Sequence, residues 1–277
     1  MMRIWHQSMT TLEELPGYAK LMKAHAQKVC DESTVVDLHG LSVGTHSSEL
    51  APIEAAGLAW LHELNSIQIV ENVMQAQDEG YDAVAMSCFG DPQLDVCRSL
   101  VEIPVLSAFE TSLLVASTSA RAFGLLVPTE SAIRSNRRRV KHYAFEHRVA
   151  MIACCDPPVT EYELERGFHG DSALLDKLCA QIRKMAAAGC DLIIPAEGVL
   201  NAVLVENGIT NVDGVPVFDS FGAVMASAEM MVKLQRKTGL RNARRGAYTK
   251  PDRKFVNHSR EIAIRALTEA ARRAADQ

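Results

Sequence analysis

Long hydrophobic runs are missing from this chain of 277 residues, and nothing approaches the roughly eighteen apolar positions that a membrane-spanning helix needs. The opening MMRIWHQSMTTLEELPG also lacks an apolar stretch followed by a small-residue cleavage site. A cytoplasmic protein with no membrane partner is expected. Charge of one sign is lacking as well: the formal net charge is −5, which provides no global reason to bind nucleic acid or an anionic surface. A small-molecule partner is the default. The seven cysteines form no CxxC pair and no Cys/His spacing that suits zinc. An odd number of thiols in a chain long enough to bury its own core argues for free cysteines and no structural metal. With 48% hydrophobic and 23% charged residues, disorder and collagen-like repeats are excluded.

What is present is an alternation of short β-branched runs with longer amphipathic stretches, the pattern of βα units building a parallel sheet. Strands are predicted at 3–8, 34–39, 83–88, 103–107, 122–127, 148–154, 191–196 and 215–219. They fall into two sets of four that resemble each other. IPVLSAFETSLLVAS from Ile103 aligns with VPVFDSFGAVMASAE from Val215, and YDAVAMSCFG from Tyr81 aligns with CDLIIPAEGV from Cys190. This pattern points to an internal duplication. The third strand of each half then ends at an equivalent place, Cys88 in the first and Glu197 in the second. Ligands of open α/β sheets sit outside the carboxyl ends of strands, so a thiol and a carboxyl are expected on opposite walls of one cleft.

RIWHQS at the start, SCFGDPQLD around Cys88, the following IPVLSAFE, and GCDLIIPAEG with VPVFDS together resemble the aspartate/glutamate/hydantoin racemase superfamily, particularly its hydantoin and allantoin racemase branch. The resemblance spans about residues 2–235. It implies an α/β fold of two pseudo-symmetric lobes, each a four-stranded parallel sheet flanked by helices, with the active site in the cleft between them. The corresponding division is 1–116 plus 218–235 for the first lobe, 117–217 for the second, and 236–277 for a basic helical extension. It also implies no organic cofactor, no metal, and two cysteines that remove and return a proton on opposite faces of a carbon next to a carbonyl or carboxylate. The first maps onto Cys88. At the second position this chain reads Pro195-Ala196-Glu197-Gly198, and Cys190 lies seven residues too early. A Cys/Glu pair has two titratable groups of different acidity where the family pattern has two thiols.

The same resemblance assigns substrate contacts to Gln7 and Ser8 after the first strand, to Phe89, Gly90, Gly198 and Val199 after the two catalytic positions, and to Thr129 and Ser131 after the fifth strand. Pro128 removes one N–H donor from that last loop. Cys88 needs help to ionise near neutrality, because a free thiol titrates near about 8.5. Asp91 as an N-cap and Pro92 in a first helical turn would aim the Phe89 and Gly90 N–H groups at the sulfur or at a substrate oxygen, making Cys88 the most reactive of the thiols. Glu197, after the apolar DLIIPA, is expected to be desolvated and raised in pKa; a helix cap is its alternative role. Three chemistries remain open: proton exchange between Glu197 and Cys88, single-cysteine decarboxylation, or attack by Cys88 in a hydrolase, lyase or cis–trans isomerase. A binding module that kept the cleft is the non-enzymatic alternative.

Three other features are read more plainly. The polar segment 39–52 overhangs the cleft and brings His39 and His46 as candidate contacts. Glu110 and Asp219 are expected to support or cap, and Trp5 and His6 to be core. The tail from Arg236 carries a net +8 and leaves −13 on the rest. Its stretch REIAIRALTEAARRAAD is amphipathic, with Ile262, Ala266 and Leu267 on one face. An arm against the acidic body or a neighbouring protomer of a homo-oligomer is expected, rather than a nucleic-acid site.

Overall fold

A computed structural model describes residues 1–46, 49–50 and 52–275. Ser47, Ser48 and Ala51, within the polar 39–52 segment, lie outside the described residues. The chain begins β1 (Met2–Gln7), α1 (Pro16–Val29), β2 (Thr34–His39), α2 (Pro52–Gly57), α3 (Ala59–Asp78), β3 (Ala83–Met86), α4 (Leu94–Leu100), β4 (Val105–Ser107) and α5 (Ala108–Ala116). It continues with β5 (Phe123–Val127), α6 (Glu130–His142), β6 (Val149–Cys154), α7 (Glu161–Glu165), α8 (Ser172–Ala187), β7 (Leu192–Pro195) and α9 (Gly198–Glu206). A short β8 (Asn211–Val212) and β9 (Val215–Pro216) precede α10 (Ser220–Thr238) and α11 (Arg253–Ala275).

The first sheet is parallel in the order β2-β1-β3-β4 and the second in the order β6-β5-β7. β3, β5 and β7 are buried along their whole length, which is why they read as unbroken apolar runs and not as alternations. The expected fourth strand of the second sheet, 215–219, is not one. Asp213 and Gly214 turn with positive φ, and β9 pairs antiparallel with β8 as a hairpin. Pro216 offers no N–H to a parallel ladder, and Asp219 already caps α10. Only Val217 reaches the sheet, through one bridge to Ile193 beside β7. That position beyond β7 matches the place of β4 beyond β3.

Other local parallels repeat between the halves. The Asp82 carboxylate accepts from the N–H of Arg3 at 2.9 Å, and the Asp191 carboxylate from that of Ala122 at 3.1 Å. Ser107 caps α5 and Asp219 caps α10 in the same manner, each accepting the N–H three residues on. Burial is continuous from Ile4 and Ala85 through α1, α9 and α10 to Leu126 and Ile193.

The tail packs against the body by charge. Arg244 donates to the carbonyls of Arg98 and Val101 and to Glu102, Lys250 pairs with Glu102, and Arg253 and Arg260 of α11 pair with Asp78 and Glu71 of α3. The face of α11 carrying Ile262, Ala266 and Leu267 stays exposed. No helix among the described residues is long and apolar enough to cross a membrane.

Candidate active site

A cavity of about 890 Å³ opens where the ends of β3 and β7 face each other. Cys88 and Glu197 both line it, each two residues beyond the last residue of its strand. The approach is close: a Cβ placed on Gly198 would come within 3.1 Å of Tyr18 Oη and 3.6 Å of the Ser87 carbonyl. A larger residue at 198 would require Tyr18 to give way by a few tenths of an ångström.

Glu197 sits in extended backbone at the N-cap of α9. Its Oε1 accepts from the Val199 N–H at 2.9 Å and its Oε2 from the Leu200 N–H at 2.6 Å. Both expected roles therefore fall on one side chain, which caps a helix and lines the cleft. Burial raises its pKa, and the N–H groups of Leu200, Val199 and Gly198 pull it back. The Val199 N–H is committed to this carboxylate, so this residue serves Glu197 directly.

Cys88 Sγ accepts from the Gly90 N–H at 3.2 Å. Gly90 is required by contact, because a Cβ there would stand 3.1 Å from that sulfur. Burial dominates the thiol and pushes its pKa up to about 11, against the smaller opposing effects of the Gly90 N–H and Arg139. The expected thiolate is thus corrected: one N–H group does not offset desolvation, and the free protein holds Cys88 as a thiol near neutrality. Nor does Asp91 cap a helix. α4 begins only at Leu94, and Asp91 and Gln93 both adopt positive φ in the intervening turn, a conformation that costs on the order of 1 kcal/mol or more for each. The Asp91 carboxyl instead accepts from Tyr143 Oη at 2.7 Å, and burial pushes its pKa up to about 6.

Of the other expected contacts, Ser8, Phe89, Gly90, Ser131, Gly198 and Val199 line the cleft. Gln7 does not. Its carboxamide lies behind the wall, accepting from Trp5 Nε1 and Asn72 and donating to the Ser8 carbonyl. Thr129 is turned into the N-cap of α6 and bonds to Ser131. His39 stacks on Trp5 and His46 bonds to the Met9 carbonyl, and neither lines the cleft. The overhang comes instead from α2 and the first turn of α3, with Pro52, Ile53 and His62 in the wall. Asp219 caps α10 and accepts from His25 at 2.6 Å, and Glu110 pairs with Arg98.

Tyr18 and Ser87, which the sequence did not single out, meet the expected core residue His6 beneath the cleft. Tyr18 Oη and His6 Nε2 both bond to Ser87 Oγ, at 3.2 and 2.9 Å, directly beneath the cleft. No motif marks the contact itself, because it joins α1, β1 and the end of β3. His6 is fully buried, and burial with the neighbouring His39 pushes its pKa down to about 3. Since the folded value lies below the unfolded one, the neutral ring supports the fold fully above about pH 6.5 and that support is lost as pH falls toward 3. In urea titrations, the stability difference between wild type and His6→Gln should change by on the order of 3 kcal/mol between pH 7 and pH 4. A pH-independent difference would mean that His6 charges freely inside the fold.

Comparison with known proteins identifies the family and the fold. Residues 13–228 match the family described as Asp/Glu/hydantoin racemase. The chain belongs to that family. It is 25% identical over 234 residues to a hydantoin racemase of Paenarthrobacter aurescens, covering 83% of this chain and 94% of that one. A hydantoin racemase of Pseudomonas sp. (strain NS671) is 25% identical over 170 residues, with 61% of this chain and 66%, just under two thirds, of that protein covered. Among solved structures, an allantoin racemase from Klebsiella pneumoniae superposes with a TM-score of 0.73 at 22% identity, over 91% of this chain and 94% of the other.

Proposed function

We propose that the protein is a cofactor-independent racemase or isomerase that moves a proton at a carbon next to a carbonyl or carboxylate, with Cys88 and Glu197 as the acid–base pair. The observation that supports this most directly is that these two groups, at equivalent strand ends, line one cleft in a member of a racemase family. On this reading the two sheets belong to duplicated lobes, 1–116 with 218–235 and 117–217.

The protonation states suggest the direction of each step. A carboxyl ionises several pH units below a thiol in water, and burial raises both. Cys88 is a thiol near neutrality, so Glu197 is the group that yields its proton first and acts as the base toward one enantiomer. Its carboxylate takes the proton from carbon, leaving a planar enolate. The Cys88 thiol then delivers its proton to the opposite face, which leaves a thiolate and a neutral Glu197 carboxyl. The other enantiomer runs the same steps in reverse. On this reading Ser8 and Ser131, which line the cleft, hold the substrate's oxygens while the charge develops, and the Gly90 N–H supports the thiolate formed on Cys88. The substrate class is a small carboxylate, amide or cyclic ureide.

The test is proton exchange in deuterated water, followed by NMR, over hydantoins, allantoin, amino acids, malonates and maleate, with Cys88→Ala as control. Deuterium entering a stereocentre with loss of optical rotation supports the reading. New products formed without such exchange would replace it with decarboxylation, hydrolysis or double-bond isomerisation.

A further inference from the structure

The cleft has one wall that the acid–base pair does not use. α6 lines it with Arg134, Arg137, Arg138, Arg139 and Lys141, whereas the only carboxylates along the lining, among the described residues, are Glu63 and Glu197. Most of α6 can keep its charges in water. Arg139 cannot, because its guanidinium is drawn inward over the Phe109 ring, 5.4 Å from the centroid. There Nε is sealed from solvent with no hydrogen-bond partner among the described residues. Among the described residues the guanidinium makes one hydrogen bond, a long one from Nη2 to Ser135 Oγ at 3.4 Å.

Two other half-buried arginines of this chain are more fully partnered. Arg98 forks onto Glu110, and Arg148 donates to the carbonyls of Ser117, Ala120 and Arg121. Arg139 has no ion pair among the described residues. The Asp91 carboxylate acts on Arg139 through its charge but is held by Tyr143, and no hydrogen bond joins it to Arg139 among the described residues. A guanidinium that lines the cleft beside an apolar ring, with Nε out of water and one long hydrogen bond among the described residues, keeps donors free for a carboxylate.

A second group points to the same place from across the cleft. His62, on α3, has a buried Nδ1 with no partner among the described residues. Its Cε1 lies 3.7 Å from the point where a Gly90 Cβ would be, and Cys88 Sγ lies 3.1 Å from that point. The positive charge of Arg139 acts on both Cys88 and His62. Two unsatisfied nitrogen groups thus flank the thiol, on separate helices.

We propose that Arg139, with His62 beside it, receives a carboxylate carried on the substituent of the substrate, so that the enzyme selects acid-bearing cyclic ureides or amino acids over neutral ones of the same shape. For turnover the inference rests on the acid–base reading above; for binding it does not. Discrimination comes from the unpaired cation. An anion gains charge-assisted hydrogen bonds from the cleft-facing guanidinium, which a neutral isostere of the same shape does not.

The test compares hydantoin-5-acetate with hydantoin-5-acetamide, which differ in charge and hardly in shape. Wild type is expected to favour the acetate by at least about 100-fold in kcat/KM for deuterium exchange. Arg139→Met should reduce that preference to within about threefold, while Arg139→Lys, which keeps the charge but loses the fork, should retain roughly tenfold. Equal turnover of the two compounds by wild type overturns the proposal, as does a preference that survives Arg139→Met. The wild-type comparison decides the matter even if a variant fails to fold. Calorimetry on Cys88→Ala separates this inference from the reading of the reaction. Acetate binding at least about 30-fold tighter than acetamide, abolished by adding Arg139→Met, supports the anion site even if no compound exchanges deuterium. Equal or absent binding of the two overturns it.

Discussion

Cys88→Ala is expected to lower deuterium exchange at the substrate stereocentre by at least about 10³-fold while the melting temperature stays within about 3 °C of wild type. The loss follows from removing the proton donor on one face of the carbon. The fold is spared because the sulfur accepts one hydrogen bond among the described residues, from the Gly90 N–H, and Cys88 sits at the edge of its core cluster. The thiol itself should report its environment. With its pKa pushed up to about 11, the rate of alkylation by iodoacetamide should still be rising between pH 8 and pH 10, not level above pH 7. The reverse profile would show a thiolate stabilised by something other than the Gly90 N–H. Retention of exchange by Cys88→Ala would remove the cysteine from the reaction.

Glu197 allows a sharper separation, because capping and proton transfer can be removed one at a time. Glu197→Ser keeps a favourable N-cap and shortens the side chain out of reach of the substrate. It should remain folded with a similar melting temperature and lose exchange by about 10²- to 10³-fold. Glu197→Gln keeps the length, but its amide nitrogen turns a donor toward one of the two N–H groups that the carboxylate satisfies. That variant should be inactive and in addition less stable by about 1 kcal/mol. Glu197→Cys restores a titratable group at the second position and should recover part of the exchange. A Glu197→Ser protein with full activity would leave Glu197 as a cap alone.

The pair also carries a built-in asymmetry. A carboxyl and a thiol differ in acidity, so removal of the proton by Glu197 and by Cys88 are unequal steps, and the two enantiomers should show different primary isotope effects. Two identical thiols would make those steps more alike.

Much of this organisation was legible in the chain. The fully buried parallel strands appear as apolar runs, and the glycines at 80 and 189, both with positive φ, punctuate the helices that precede the third strand of each half. Equivalence of Cys88 and Glu197 followed from the alignment of the two halves, YDAVAMSCFG with CDLIIPAEGV. The eighth strand was misread because VPVFD has strand composition, whereas the Asp213-Gly214 turn and Pro216 direct it into a hairpin. Composition does not reveal which neighbour a strand will pair with.

What the sequence determined by itself is local and periodic: the βα alternation, the strand ends, the thiol and the carboxyl that terminate two of them. The tertiary structure decided what depends on distance between remote segments. Burial of Cys88 beside Glu197 reversed the expected thiolate, the chain of Tyr18, Ser87 and His6 came together from α1, β3 and β1, and α6 turned Arg139 inward without a partner. Desolvation and hydrogen-bond satisfaction are properties of a site's whole surroundings, and no single stretch of chain carries them.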